Sequence, residues 1–112
     1  MITEFDGKYA FLSNFYHAPF TYDGIEYPTN EHFFQAMKTL DQEKRKKIAA
    51  AATPGKAKRM GRQVQLREDW EEVKYTAMRV GVERKFDTHP ELASKLIATG
   101  DAILIEGNSW HD

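Results

Sequence analysis

Cysteine is absent from this chain of 112 residues, so neither a disulfide framework nor thiolate catalysis is available to it. Long apolar runs are missing as well, and nothing approaches the ~18–20 consecutive residues of a membrane helix. Charge of one sign is also lacking: the formal net charge is −1, and no overall basic field points to a nucleic-acid or membrane partner. The opening Met-Ile-Thr-Glu-Phe-Asp has neither the basic nor the apolar region of a secretory signal. A soluble, cytoplasmic protein is the expectation. The four histidines, His17, His32, His89 and His111, show no metal-ligand spacing, and no metal or redox cofactor is expected. There is no glycine-rich phosphate loop, and Ser13-Asn14 does not have the setting of a strained nucleophile elbow. Repeats, low-complexity tracts and linkers are missing too. One domain over residues 1–112 follows from the length.

What is present is uneven along the chain. Hydrophobic residues make up 41% and charged residues 29%, ordinary values for a globular protein. The aromatic residues crowd into the first third. Phe20-Thr-Tyr-Asp-Gly-Ile-Glu-Tyr27 alternates about Asp23-Gly24, the strongest short hairpin signal, because both central positions of a type I′ turn need positive φ. Ahead of it, Tyr9 to Tyr16 is an aromatic cluster broken by Ser13 and Asn14; its rings are either core or the lining of a pocket for a flat ligand.

From Asn30 onward the pattern is helical. Asn30 is the expected N-cap of a short helix in which Phe33, Ala36, Met37 and Leu40 form the core stripe. Glu31, Gln35 and Lys38 share the opposite side with Phe34 beside them, a grouping that reads as a site face or, alternatively, as solvated surface. Asp41 caps a second helix that carries the basic run Lys44 to Lys47, read as a solvated face with phosphate or nucleic-acid contact as the alternative. Thr53-Pro54 opens a third that stops at Gly61, and Asp69 caps a longer one to about Phe86 with Trp70, Val73, Ala77, Val80 and Gly81 inward. Thr88-His-Pro90 begins another, burying Leu92, Leu96 and Ile97. Ala102 to Ile105 reads as a short apolar strand ending at Glu106. The expected fold is α+β: a small sheet with an N-terminal hairpin, packed by four to five helices.

Four blocks in order resemble the YbiA-like, or NADAR, family along essentially the whole chain. They are Phe11-Leu-Ser-Asn-Phe15; Tyr27-Pro-Thr-Asn-Glu31 with Gln35-Ala-Met-Lys38; Arg67-Glu-Asp-Trp70 with Lys74, Met78 and Lys85-Phe86; and Thr99-Gly100 with Leu104-Ile-Glu106 and Trp110. The resemblance implies an N-glycosidase acting on a ribose-linked nucleotide, either ADP-ribosylated guanine, including guanine in nucleic acid, or a phosphoribosylamino-pyrimidine of riboflavin synthesis. Its alternative is a non-catalytic module binding NAD or ADP-ribose.

Breaking a ribose C1–N bond passes through an oxocarbenium-like state, which a nearby carboxylate stabilises. Glu31 is the first candidate and Glu106 the second; the competing role for Glu106 is an ion pair with Arg67 or Lys74. Lys38 either pairs with a substrate phosphate or, as a buried neutral amine, attacks C1. Asn14 and Gln35 suit hydrogen bonds to ribose or base, Phe15 and Trp110 suit stacking, and Arg67 completes the substrate-binding set; each ring has core packing as its alternative. Asp69 and Trp70 are expected to serve as cap and packing. Relatives continue beyond Trp110 into a further helix, so a segment covering the pocket is expected to be missing here, leaving a surface for self-association.

Overall fold

The computed structural model describes residues 7–99, with side chains from Ala10 to Lys95. A 3-10 turn, Gly7–Leu12, leads into strands β1 (Phe20–Tyr22) and β2 (Ile25–Tyr27). Five helices follow: α1 (Asn30–Ala36), α2 (Gln42–Ala49), α3 (Pro54–Gly61), α4 (Trp70–Thr88) and α5 (Pro90–Thr99). This is the expected α+β architecture. The anticipated strand at 102–105 lies outside the described residues, as do the side chains of Leu96 and Ile97.

The hairpin pairs Phe20 with Tyr27, Thr21 with Glu26 and Tyr22 with Ile25. Asp23 and Gly24 adopt φ of 51° and 79°, the left-handed values that the tight turn requires. Phe20, Ile25 and Tyr27 consequently face inward while Thr21 and Glu26 face solvent. Three rings of the hairpin, Phe20, Tyr22 and Tyr27, meet Phe33 of α1 edge-on at 5.0–5.4 Å between centroids. That contact seats α1 on the sheet.

Helix boundaries follow their caps. Asp41 accepts from the amides of Glu43 and Lys44, and Thr53 accepts from that of Lys56 with Pro54 in the first turn. Two expectations fail locally. Thr29, not Asn30, caps α1: it is extended and its Oγ1 accepts from His32 N at 3.1 Å, which leaves Asn30 inside the helix with its amide free to reach across the core. Asp69 stands before α4 but makes no capping bond, because its carboxylate is held by Arg67. Leu40 also departs from the expected stripe. Helix α1 ends at Ala36, the following amides of Lys38 and Thr39 bond three residues back, and Leu40 emerges 63% exposed.

Helix α1 lies at the centre. It packs against α2, α3, α4 and β2, and its seven residues are all buried. The main core combines it with Ile48, Ala57, Trp70 and Met78 from the surrounding helices. A smaller cluster of Phe11, Leu12, Ala18 and Leu92 lies to one side.

Candidate functional site

A helix buried on every side has no solvated face for its polar residues, yet α1 carries Asn30, Glu31, His32 and Gln35, each at most 1% exposed. An isolated carboxylate in such a position costs several kcal/mol, on the order of the desolvation penalty of one ion, unless it is hydrogen-bonded or paired. Gln35, one turn on, supplies a bond: its Nε2 donates to Glu31 Oε2 at 2.5 Å. Lys38 follows just past the helix end, 6% exposed. Phe34 does not share a polar face with them. Its ring packs on Trp70 at 5.2 Å.

The loop between the two aromatic segments supports Glu31 from the other side. Asn14 O accepts from Glu31 N at 3.0 Å, and Asn14 Oδ1 accepts from Asn30 Nδ2 at 2.8 Å. Both amide nitrogens also approach Met78 Sδ of α4 at 3.4 Å. Lys85, on the next inward turns of α4 and only 2% exposed, donates from Nζ to Ser13 O at 2.9 Å and lies 5.6 and 5.4 Å from the ring centres of Tyr16 and Phe86. The Ser13-Asn14 bend is therefore tied to α1 and α4 together.

Two glycines make room for this polar core. A side chain at Gly61 of α3 would collide with the Gln35 amide, its Cδ standing 2.8 Å from the position of the missing Cβ. At Gly81 of α4 the Asn30 amide occupies the same space, with Cγ at 2.9 Å and a Phe33 ring carbon also at 2.9 Å. Close approach of backbone to buried amide is what glycine supplies at both places.

His32 is locked by its surroundings. Its Nε2 lies 3.0 Å from Ala51 O, so that nitrogen donates, and Nδ1 lies 2.8 Å from Thr29 Oγ1. Burial holds its pKa below the ordinary histidine value, only partly opposed by the Ala51 carbonyl. It fastens α1 to the segment after α2 and is not placed as a proton shuttle.

The structure thus brings Asn14, Glu31 and Gln35 into one network, and the backbone of Lys38 joins its end, the Lys38 amide donating to Gln35 O at 3.2 Å. Phe15 stands next to Asn14 and is 46% exposed, available as a ring surface and not core. Arg67 is elsewhere engaged: its guanidinium grips Asp69 through Nε at 2.5 Å and Nη2 at 3.0 Å, and its amide donates to Lys38 O at 2.8 Å. It lines an apolar cavity of about 150 Å³ with Tyr22, Phe33, Met37 and Val73, a space that none of Asn14, Glu31, Gln35 or Lys38 borders. Lys74 pairs with Glu71 at 2.6 Å. Glu106 and Trp110 lie outside the described residues. Among the described residues no three acidic or histidine side chains converge as a metal site. Sequence reasoning gave no site role to Asn30 or Lys85; an asparagine and a lysine carry no periodic signal that separates burial from exposure.

The NADAR domain family matches residues 3–112. The chain belongs to the NADAR family. N-glycosidase YbiA of Escherichia coli strain K12 is 44% identical over 100 residues, covering 88% of this chain and 62% of that protein. N-glycosidase Npun_R5314 of Nostoc punctiforme is 37% identical over 105 residues, covering 89% of this chain and 67% of that one. The riboflavin biosynthesis protein VVA0006 of Vibrio vulnificus is 37% identical over 103 residues, or 90% of this chain and 28% of its own length. The NMR structure of E. coli YbiA superposes with a TM-score of 0.77 at 40% identity, over 89% of this chain and 61% of that one. This NADAR chain therefore spans about three fifths of the length of the YbiA proteins it matches.

Proposed function

We propose that this NADAR protein is an N-glycosidase that hydrolyses the C1–N bond of a ribose-linked nucleotide, with Glu31 as the charge-stabilising carboxylate. The observation that carries the reading is a glutamate almost wholly removed from water and oriented by Gln35 at 2.5 Å. A carboxylate held this way is preorganised for a developing oxocarbenium ion and needs no solvent rearrangement as charge appears. The C1–N bond breaks, a water oxygen bonds to C1, and the proton that water loses balances the one the departing nitrogen acquires. Asn14, the neighbour of Glu31 N, and the exposed Phe15 ring are the positions for sugar and base recognition.

Lys38 has two roles open to it in this reaction: cation for a substrate phosphate, or nucleophile. As a nucleophile its neutral amine attacks C1, expels the nitrogen base and leaves an imine with the ring-opened sugar, which water then releases. Borohydride added during turnover reduces such an imine. A mass increment on Lys38 establishes the covalent route, and its absence leaves the phosphate role.

A relative named as a riboflavin biosynthesis protein favours a substrate from riboflavin synthesis, for which the family resemblance implies a phosphoribosylamino-pyrimidine, with ADP-ribosylated guanine as the second class. Purified protein offered both, with mass-spectrometric detection of free base, decides between them. Release by wild type and not by Glu31→Gln supports the glycosidase. Binding of ADP-ribose or NAD without release of base from either substrate supports a non-catalytic module instead.

A further inference from the structure

Asn14 is a central residue of a tight turn, Ser13 to Tyr16. Tyr16 N donates to Ser13 O at 3.2 Å to close it, and Phe15 N donates to Ser13 Oγ at 3.0 Å. One side of the turn rests on α1, where Asn14 accepts from Glu31 N and from Asn30 Nδ2. The other side is held by Lys85 of α4, 72 residues away in sequence. Its Nζ donates at 2.9 Å to the same Ser13 O that closes the turn, and it lies 5.6 Å from the ring centre of Tyr16. The ammonium therefore meets the first and last residues of the turn, while Asn14 between them faces α1. Packing alone does not account for a lysine at this place. The surroundings are apolar: Tyr16 and Phe86 pack against Phe11, Leu12 and Leu92. A methionine would fill the space without the desolvation penalty of a buried ammonium. What the ammonium adds is direction, because a carbonyl oxygen and a ring face at one cation fix where the turn sits. An apolar contact would let it slide.

We propose that Lys85 is a positioning residue for Glu31, acting through the Ser13–Tyr16 turn: by holding Ser13 O and the Tyr16 ring it keeps Asn14 seated on α1. The link to Glu31 is direct. Glu31 N lies in the first turn of α1, where an amide has no acceptor within its own helix, and Asn14 O is the group it donates to at 3.0 Å. If the turn slides, that amide loses its partner and the start of α1 loses the contact that fixes it. A misplacement of about 1 Å in a catalytic group is enough to lower a rate ~10²-fold. The consequence for catalysis rests on the reading of Glu31 as the charge-stabilising carboxylate; the hold on the turn is independent of turnover.

Lys85→Met tests it, since methionine keeps an unbranched stem between the rings and removes both donor and charge. The variant is expected to fold, as a buried cation exchanged for an apolar side chain of similar volume is commonly tolerated. Amide exchange followed by NMR is expected to be at least about tenfold faster at Glu31 than in wild type. It should be unchanged at Phe33, whose N–H bonds to Thr29 O. Turnover of whichever substrate wild type accepts is expected to fall ~10–100-fold in kcat, with KM changed less than about threefold. In a Glu31→Gln background the same replacement is expected to cost less than about threefold, because the carboxylate it steadies is gone; a general structural defect would cost the same in both. Wild-type exchange at Glu31 in folded Lys85→Met overturns the proposal, and so do equal losses of kcat in the two backgrounds. Should Lys85→Met not fold, Tyr16→Leu removes the ring beside the ammonium and leaves the lysine, and exchange at Glu31 must then quicken or the proposal fails. A wild type that turns over neither substrate would sink the glycosidase reading, while the exchange measurement would still decide whether Lys85 holds Glu31 in place.

Discussion

At the scale of single residues, burial separates the polar groups by purpose. Glu31 is held by Gln35 and its backbone by Asn14, so replacing the acid by its amide keeps shape and an acceptor oxygen while removing charge. Glu31→Gln is expected to lower kcat by ~10²–10³, the range seen when one preorganised electrostatic group is lost, with substrate Kd changed by less than about threefold. Single-turnover rates alongside equilibrium binding check this, and a matching loss in Kd would make Glu31 a binding group. Tyr27 is the contrasting case. It is wholly buried, its hydroxyl meets no partner among the described residues, and burial pushes its phenol up to about 12. A buried hydroxyl that makes no bond is a cost, so Tyr27→Phe is expected to leave stability unchanged or raise it by up to about 1 kcal/mol. A loss of more than that in urea unfolding would reveal a partner for the hydroxyl.

At the scale of elements, α1 shows how far periodicity reaches. Phe33, Ala36 and Met37 read as core and are core; the hairpin about Asp23-Gly24, the caps at Asp41 and Thr53, and the end of α3 at Gly61 were legible because turn and cap chemistry is local, whereas α4, read to about Phe86, runs on to Thr88, the residue expected to open α5. The polar side of α1 was legible as a group but not as a buried one. Amphipathicity assumes that one face of a helix meets water, and α1 has neighbours all around it. The information that Glu31, Asn30 and Gln35 are interior resides in Gly61 and Gly81, on helices 26 or more residues away, where sequence alone suggests only a helix stop and a member of the core stripe. Gly81→Ala is expected to cost at least about 1–3 kcal/mol, because the amide of Asn30 and the Phe33 ring must both give way. Gly55, whose missing Cβ would stand 4.0 Å from Thr53 Oγ1, is the control, and Gly55→Ala should be neutral or slightly stabilising. Equal midpoints for the two variants in thermal unfolding would contradict the close packing of α4 on α1.

At the scale of the whole molecule, the centre of the fold is joined by a few polar clamps as well as by apolar contact, and one of them responds to pH. His32 ties Thr29 at the start of α1 to Ala51 beyond α2, and burial keeps it neutral to lower pH than a free imidazole. Its folded-state pKa is below the unfolded value of about 6.5. Above about pH 6.5 both states are neutral at this position and stability does not depend on it. As pH falls through that value the unfolded chain takes up a proton that the folded chain refuses, so folding weakens by at most about 1.4 kcal/mol per pH unit until the buried ring titrates too. Asp69, whose carboxyl the Arg67 guanidinium holds below its usual range, loses its contribution only at lower pH, in the carboxylate window. Urea midpoints measured from pH 7.5 down to about 5 should therefore be level and then decline, starting near about 6.5. His32→Gln is expected to be less stable at neutral pH and to flatten that decline. A wild-type midpoint that holds level to about pH 5, or a decline that persists undiminished in the variant, would assign the acid response to groups other than His32.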